Sequence, residues 1–469
     1  MLFDDLNSIL DSSMGRKVTD RRRFLHFFAG TAAVSATGMT KSLLAADALQ
    51  TTQFRQIDMS ITVNGQLRTR LGGKVRTPSL SVEGEFRFDE RLDVGNKGTR
   101  VVRDYKTAQA RIAVNKRAFT SKLAPEHRIV AGRVEKDRGL LFSPDGPMTR
   151  DELDLLQVPG DSIGWLQLLP SGVIQAGKKW QPTSAALCVL LGIDAINQSS
   201  VSCEVKSAAV DRRVEIRGTV DGAAGGVATT IRIEGHLSLH SSRKQINGLS
   251  LDLREKRAIG HAEPGFEVHA KVVVRAQEMD ALPRLTKVAT RLASEANDAD
   301  LLIDYRAERG GFAFLHDRGW HVMVDDRELS VMRFVERGDL VAQCNISRLS
   351  AAAKKDVLQL SKYQEEIQRA LKKQFARFLE ASEGMTDTGL RILKVAVAGT
   401  ASDLPIHWIY YHISDKQGRR VSIVFAHEAK LERKFAGMDE TLISSFRFVE
   451  PEPVPAKEEK AARVSRKLD

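Results

Sequence analysis

From residue 51 onward apolar and polar side chains alternate in short runs, the period of half-buried strands. Ile57-Asp58-Met59-Ser60-Ile61-Thr62-Val63 keeps its apolar residues on one side, and Asn64-Gly65 then reads as a tight hairpin into a second strand over 67–76. Strands follow over 80–88, 99–105 and 110–114, and Phe142-Ser143-Pro144-Asp145-Gly146-Pro147 is a loop. The period then changes. Thr149 is an N-cap, with Glu152 as its capping-box partner, for a helix over 150–157. A second helix over 162–169 stops at Pro170, and a third runs from Ser184 to Leu191 and stops at Gly192. Alternation returns over 201–208, 213–220, 228–240, 246–256 and 266–276, with Ile231, Ile233, Leu237 and Leu239 sharing one face. Each strand has one dry side. That predicts a large, curved antiparallel sheet whose inner face the three helices cover.

Residues 277–304 read as a polar helical connector. Beyond them strands are expected over 311–315, 321–324, 329–336 and 340–347. A long amphipathic helix is expected over 356–382, because Leu360, Tyr363, Ile367, Leu371, Phe375 and Phe378 recur at three- and four-residue steps. Strands over 390–398, 406–414 and 421–427, with a turn at Gln417-Gly418, then a helix over 428–438 and a last strand over 444–449, close this part. Pro451, Pro453 and Pro455 followed by mixed Lys and Glu mark a disordered tail over 450–469. The class is therefore α+β. A β-rich domain over 51–276 has covering helices, and a smaller antiparallel-sheet α/β/α sandwich occupies 305–449.

The chain has 469 residues, 42% hydrophobic and 28% charged, which excludes a mainly disordered or collagen-like polymer and suits two or three domains. Before the first strand, Asp20-Arg21-Arg22-Arg23-Phe24-Leu25-His26 resembles the twin-arginine export signal, with Arg21, Arg22, Phe24 and Leu25 on its fixed positions. The apolar run from Phe24 to Met39 is diluted by Gly and Thr and falls short of the ~20 residues of a membrane-spanning helix. Ala46-Asp47-Ala48 is a cleavage signature, which places the cut after Ala48 and makes 1–48 a signal peptide. That resemblance implies a periplasmic or secreted chain, with the twin-arginine translocase and a signal peptidase as partners during export. No cofactor is implied, and the mature chain holds no candidate transmembrane segment.

Charge is uneven. Residues 51–140 hold 19 Lys/Arg against 10 Asp/Glu. The arginines fall on one side of the strands, which reads as a solvated sheet face; a face for acidic envelope polymers or anionic lipid is the other reading. No aromatic residues interleave for base stacking, so no nucleic acid is expected.

Gly311-Phe312-Ala313-Phe314, Gly319-Trp320 and the closing Ser445-Phe446-Arg447-Phe448, in this order of elements, resemble the PsbP-like fold over 305–449. That resemblance implies helices on both faces of an antiparallel sheet and a role in binding or assembling partners. His316-Asp317-Arg318 stands where that family has Tyr-Pro. The first domain is similar to LolA/LppX-like half-barrels, and Gln175-Ala176-Gly177-Lys178-Lys179-Trp180 looks like a segment common in exported β-rich proteins. This resemblance implies a lipid-like ligand. The whole mature chain is similar to uncharacterised exported proteins of planctomycete-type bacteria.

Chemistry-bearing clusters are few, and no catalytic, cofactor-binding or metal residue is assigned. His236 and His240 lie ~13 Å apart along a strand and cannot share one metal ion. Glu234 with His236 lacks a third ligand. Gly222-Ala223-Ala224-Gly225-Gly226 is a hairpin turn rather than a phosphate cradle, and GxSxG, HExxH and P-loop patterns are absent. Trp408, Tyr410 and His412 share one strand face and form a candidate surface aromatic site; packing beneath a helix is the alternative. Three cysteines, Cys188, Cys203 and Cys344, give no scaffold, and Cys188 with Cys203 is the one pair that could join after export. The expected function is an exported envelope protein with a binding or scaffolding role. The alternative is a carrier whose apolar ligand lies against Leu156, Trp165, Leu169 and Trp180. A hydrolase of envelope polymers is the third.

Overall fold

The computed structural model describes residues 51–451 except 72–73, 96–97, 136–137, 171, 173, 207–210, 241–244, 295–297 and 352–356. The twin-arginine segment with Arg21, Arg22, Phe24 and Leu25, the cut after Ala48 and the tail from 452 lie outside the described residues. Strand dominates, the described pairings are antiparallel, and two compact units divide between Ile303 and Asp304. Among the described residues no helix is long and apolar enough to cross a membrane.

In the first unit β1 (Thr51–Leu71), β2 (Lys74–Arg76), β3 (Ser79–Gly95), β4 (Gly98–Val114), β5 (Arg117–Lys122), β6 (Ile129–Glu135) and β7 (Arg138–Phe142) come first. Helix α1 (Arg150–Leu156), the 3-10 turn Ser162–Leu168, the short β8 (Lys179–Trp180) and helix α2 (Ser184–Leu191) follow. Then come β9 (Ala195–Ser199), β10 (Ser202–Val205), β11 (Asp211–Ala224), β12 (Val227–His240), β13 (Gln245–Arg257) and β14 (Gly265–Glu278). They form one open 14-stranded sheet with the path β7-β6-β4-β3-β1-β14-β13-β12-β11-β10-β8. The early strands make one wing and the late strands the other, with β1 and β14 at the middle. Helix α1 and the 3-10 turn therefore lie on the connection between the two outer strands, β7 and β8, and α2 follows β8.

Alternation decides the faces. Ile57, Met59, Ile61 and Val63 of β1, Phe86 and Phe88 of β3, and Ile231, Ile233 and Leu237 of β12 share one buried cluster with Leu153, Leu156, Trp165, Leu168, Leu187 and Leu190. Asp58, Ser60, Thr62 and Asn64 are exposed on the other face. Each fully buried side chain of this size stabilises the fold by roughly 1.5–3 kcal/mol. The capping box at Thr149 is present, its hydroxyl accepting from the Glu152 amide while the Glu152 carboxylate accepts from the Thr149 amide.

One turn is corrected. Asn64-Gly65 is no hairpin, because β1 runs through it and pairs with β14 along its length. Glycine is there for close approach: a Cβ at Gly65 would lie 2.2 Å from the Glu267 carbonyl oxygen. The segment after β14 forms α3 (Pro283–Ser294), whose Leu285 packs with Val102 and Ile129.

The second unit holds β15 (Ile303–Ala307), β16 (Phe312–His316), β17 (Trp320–Asp325), β18 (Leu329–Glu336), β19 (Asp339–Leu349), helix α4 (Leu360–Leu371), β20 (Phe375–Met385), β21 (Arg391–Ala401), β22 (Leu404–Ser414), β23 (Arg420–Glu428), helices α5 (Glu432–Phe435) and α6 (Met438–Ser444), and β24 (Arg447–Phe448). A seven-stranded sheet has the order β17-β18-β19-β23-β22-β21-β20, and a small sheet the order β15-β16-β24. One face of the larger sheet puts Tyr411, Ile413, Ile423 and Phe425 against Trp320, Phe435 and Phe446. The other puts Val395, Val397, Tyr410 and Val424 against Tyr363, Ile367 and Leu371 of α4.

Here the long-helix expectation over 356–382 fails halfway. The helix ends at Leu371, Lys372 turns to φ 48°, and β20 starts at Phe375. Phe375 and Phe378 pair with Gly399 and Val397, and a bulge between Phe375 and Arg377 inserts Ala376 as an extra residue between them. A strand with a bulge has two same-face residues three apart, and this copies the helical spacing. The last predicted strand, 444–449, shortens to β24, because 438–444 is helix.

Candidate functional site

The charged residues that stand on the dry face of the first unit share a feature: each occupies an inward position of its strand. Arg55 of β1 is cross-strand to Glu90 of β3, and Glu90 is cross-strand to Arg103 of β4. The pairing lines up a guanidinium, a carboxylate and a second guanidinium, all fully buried. Arg55 pairs with Glu90, and Arg103 donates from Nε to Glu90 Oε2 at 2.9 Å. Arg103 also donates to Asp161 Oδ2 at 3.0 Å and to Ser162 Oγ at 3.0 Å, and the Ser162 hydroxyl donates to Glu90. Asp161 caps the 3-10 turn by accepting from the Ile163 amide. Trp165 and Phe88 close the group, with Arg55 5.4 Å from the first ring and Arg103 4.9 Å from the second. Burial alone would raise the Glu90 carboxyl, but Arg55, Arg103 and Ser162 overcome it and hold it near 2.

A second buried group sits at the β11–β12 turn. Arg257 of β13 donates to Glu255 at 2.7 Å, stacks 4.6 Å from Phe266, and stands 3.8 Å from Glu263. Asp194 accepts from the Gly226 amide at 2.9 Å and faces Arg138 at 3.5 Å. Asp154 of α1 adds a fourth carboxylate. Gly225 has φ 58°, and a Cβ there would lie 2.9 Å from Glu263, so glycine suits both the turn and the acid. Burial, helped by Asp154 and Asp194 and opposed by Arg257, pushes Glu263 up to about 8. Burial also raises Asp194. Among the described residues no group of His, Cys, Asp and Glu could hold a metal ion.

Between these groups lies a cavity of about 50 Å³, reached by Arg138, Asp161, Cys188 and Asp194. A water has a share of liquid volume near 30 Å³, so this space suits a water or two, whereas ligand pockets are typically ≈ 300–1,000 Å³. The four residues expected against an apolar ligand sit in packing. Leu156 and Trp165 are fully buried, and the Trp165 indole donates to the Gly160 carbonyl at 2.9 Å. Leu169 and Trp180 pack half-buried against the same core, with the Trp180 indole donating to the Leu168 carbonyl. All three cysteines are buried free thiols, and burial pushes Cys203 up to about 12.

In the second unit the aromatic face lies under α4 rather than at the surface. Tyr410 is 5% exposed and His412 3%, Trp408 packs half-buried on the same cluster, and the Tyr363 ring stands 6.0 Å from His412. Burial, aided by Arg420 and Arg391, pushes His412 down to about 4. A polar cleft of about 300 Å³ opens between the β20–β21 and β22–β23 turns, where Lys416, Arg419 and Arg447 face Phe448. Asp415 holds Arg419 at 2.6 Å, and Asp304 holds Arg447 at 2.7 Å.

The longest exposed run in the second unit is on β20. It is the outer strand of its sheet, and nine of its eleven residues are exposed. Leu379 is 41% exposed and Met385 68%. Arg391, opposite Met385, donates to the Leu358 carbonyl at 2.8 Å, which brings exposed Val357 to the same end of the strand. Sequence reasoning missed this edge because the residues read as helix. It also missed the buried ions, although Arg55 and Glu90 sit in phase with the apolar residues of β1 and β3.

No family model and no curated relative matches the chain. Among solved structures, the solution structure of cyanobacterial PsbP from Synechocystis sp. PCC 6803 is similar at 15% identity, with TM-score 0.26, over 31% of this chain and 92% of its own. The T6SS immunity protein TplEi from Pseudomonas aeruginosa is similar at 12% identity and TM-score 0.21, over 50% of this chain and 95% of its own. The Tle4–Tli4 complex contains a chain similar at 11% identity and TM-score 0.21, over 50% of this chain and 96% of its own. These are weak likenesses of shape.

Proposed function

We propose that the chain is an exported envelope protein that binds and holds a partner and does not catalyse. The observation that carries this reading is β20: an outer strand exposed along nearly its whole length, with large apolar side chains at the surface. An open edge offers a row of backbone donors and acceptors, and strand addition is a common way to use it. The first unit supports the same reading from the other side. The charges of its Arg55–Glu90–Arg103 group pair with one another, and its helices fill the dry face of the sheet where a lipid would lie. The curved half-barrel form belongs to this proposal, with the helices as a plug rather than a lid over a ligand. Export would follow from the twin arginines, with the mature chain starting at Leu49.

The test uses the full chain in living cells. A photo-crosslinking residue at Met385 is expected to give one discrete adduct, identified by mass spectrometry, that Leu379→Lys abolishes; the same residue at Ser60, on the polar face of β1, gives none. Adducts equal at both positions, or none at Met385, would overturn the reading, as would native mass spectrometry showing a bound lipid. N-terminal sequencing of the exported protein is expected to start at Leu49, and Arg21→Lys with Arg22→Lys is expected to leave the precursor inside.

A further inference from the structure

The polar cleft between the β20–β21 and β22–β23 turns has a fixed lining. Asp415 opens the β22–β23 turn and is fully used by it. Its Oδ1 accepts from the Gln417 and Arg419 amides at 3.0 and 2.8 Å, and its Oδ2 accepts from Arg419 Nε at 2.6 Å. The same guanidinium stands 4.9 Å from the Phe448 ring. Arg447 of β24 donates from Nη2 to Asp304 at 2.7 Å, and Asp304 stands outside the lining of the cleft. A guanidinium carries five N–H donors in a rigid fork, so each tie sets the fork's orientation and leaves donors over.

Charge in the lining does not balance. Lys416, Arg419 and Arg447 meet one carboxylate there, Asp415, which leaves a net +2 that Asp304 offsets in part from behind. Lys416 is exposed and has no carboxylate partner among the described residues. The Thr388 hydroxyl and the Gln417 amide add further donors. About 300 Å³ is the lower end of ligand pockets and the space of roughly ten waters, more than a lone oxyanion fills. The guest that fits is a small organic molecule with several acceptor oxygens and about two negative charges. A phosphate monoester has three strong acceptor oxygens and ≈ −1.5 to −2 charge at pH 7, and arginine forks match its geometry. A single carboxylate has about half that charge.

We propose that this cleft binds a small molecule through a phosphate monoester group, with Lys416, Arg419 and Arg447 on the phosphate and Phe448 against the carbon skeleton. The site stands apart from the partner-binding reading, since its lining begins at Thr388, beyond the end of β20 at Met385.

The test uses the full chain with glycerol 3-phosphate, glycerol, malonate, and phosphatidylcholine vesicles carrying one-fifth phosphatidic acid. Calorimetric titration is expected to give saturable one-site binding of glycerol 3-phosphate and none of glycerol. Lys416→Glu is expected to weaken that binding at least tenfold with thermal unfolding unchanged, because the side chain is exposed on a turn. Lys362→Glu, the same change of charge at an exposed position of α4, is expected to leave it as it was. Flotation with the vesicles that Lys416→Glu abolishes would assign the phosphate to a lipid headgroup; binding of glycerol 3-phosphate without flotation would assign it to a free molecule. No saturable binding of either phosphate probe at millimolar concentration would overturn the proposal. So would malonate bound as tightly as glycerol 3-phosphate, and so would binding that Lys416→Glu leaves intact or that Lys362→Glu weakens as much.

Discussion

Two buried glutamates in the first unit have opposite environments. Glu90 is clasped by two guanidinium groups and a hydroxyl, whereas Glu263 has one guanidinium at 3.8 Å and two carboxylates for company. Their pH dependences therefore differ in sign. The depressed Glu90 stabilises the fold above its unfolded value near 4.5, and that contribution fades as pH falls toward 2. The raised Glu263 does the reverse: its contribution is complete below about 4.5 and is lost as pH rises toward 8. Glu263→Gln is expected to leave stability at pH 5 unchanged and to exceed the wild type increasingly up to pH 8, by about 1.4 kcal/mol per pH unit at most. Urea unfolding at pH 5, 6.5 and 8 measures it, and parallel curves would contradict it. Glu90→Gln is expected to cost about 3–5 kcal/mol at pH 7 by leaving buried guanidinium groups underpaired, read from the same unfolding midpoints. Cys203 is expected to resist alkylation until denaturant is added, with mass spectrometry counting the labels.

At the scale of elements, α1 shows how a local signal survives folding. Thr149→Ala is expected to cost about 1 kcal/mol, measured by thermal or urea unfolding, because it leaves the Glu152 amide without its cap. Capping depends on residues three apart, so it was legible in the sequence. So were the strands with strict alternation, such as β12, and the stops at Pro170 and Gly192. Features set by a neighbouring strand were not. Gly65 looks like a turn residue until β14 lies against it, and β20 looks like helix because a bulge spaces Phe375 and Phe378 three apart. The candidate edge was illegible for the same reason. The buried ions left a faint mark, since Arg55 and Glu90 break the apolar phase of their strands, but only cross-strand register brings them together.

At the scale of the molecule, each unit has its own interior. Ile61, Trp165 and Leu237 belong to one cluster, and Trp320, Phe425 and Phe446 to another. Phe425→Ala is expected to lower one of two calorimetric transitions by several degrees and leave the other in place; a single transition that moves as a whole would contradict this. The order of strands has a further consequence. β1 and β14 pair from Arg55↔Glu278 to Arg68↔Gly265, so the central ladder of the large sheet joins the two ends of the unit's chain. Such a topology has high contact order and folds slowly. A ribosome must release the stretch through Glu278 before that ladder can zip, so nascent chains cut short of Gly265 should remain sensitive to protease. The same adjacency makes the unit a natural subject for circular permutation, with new ends opened in a loop of either wing.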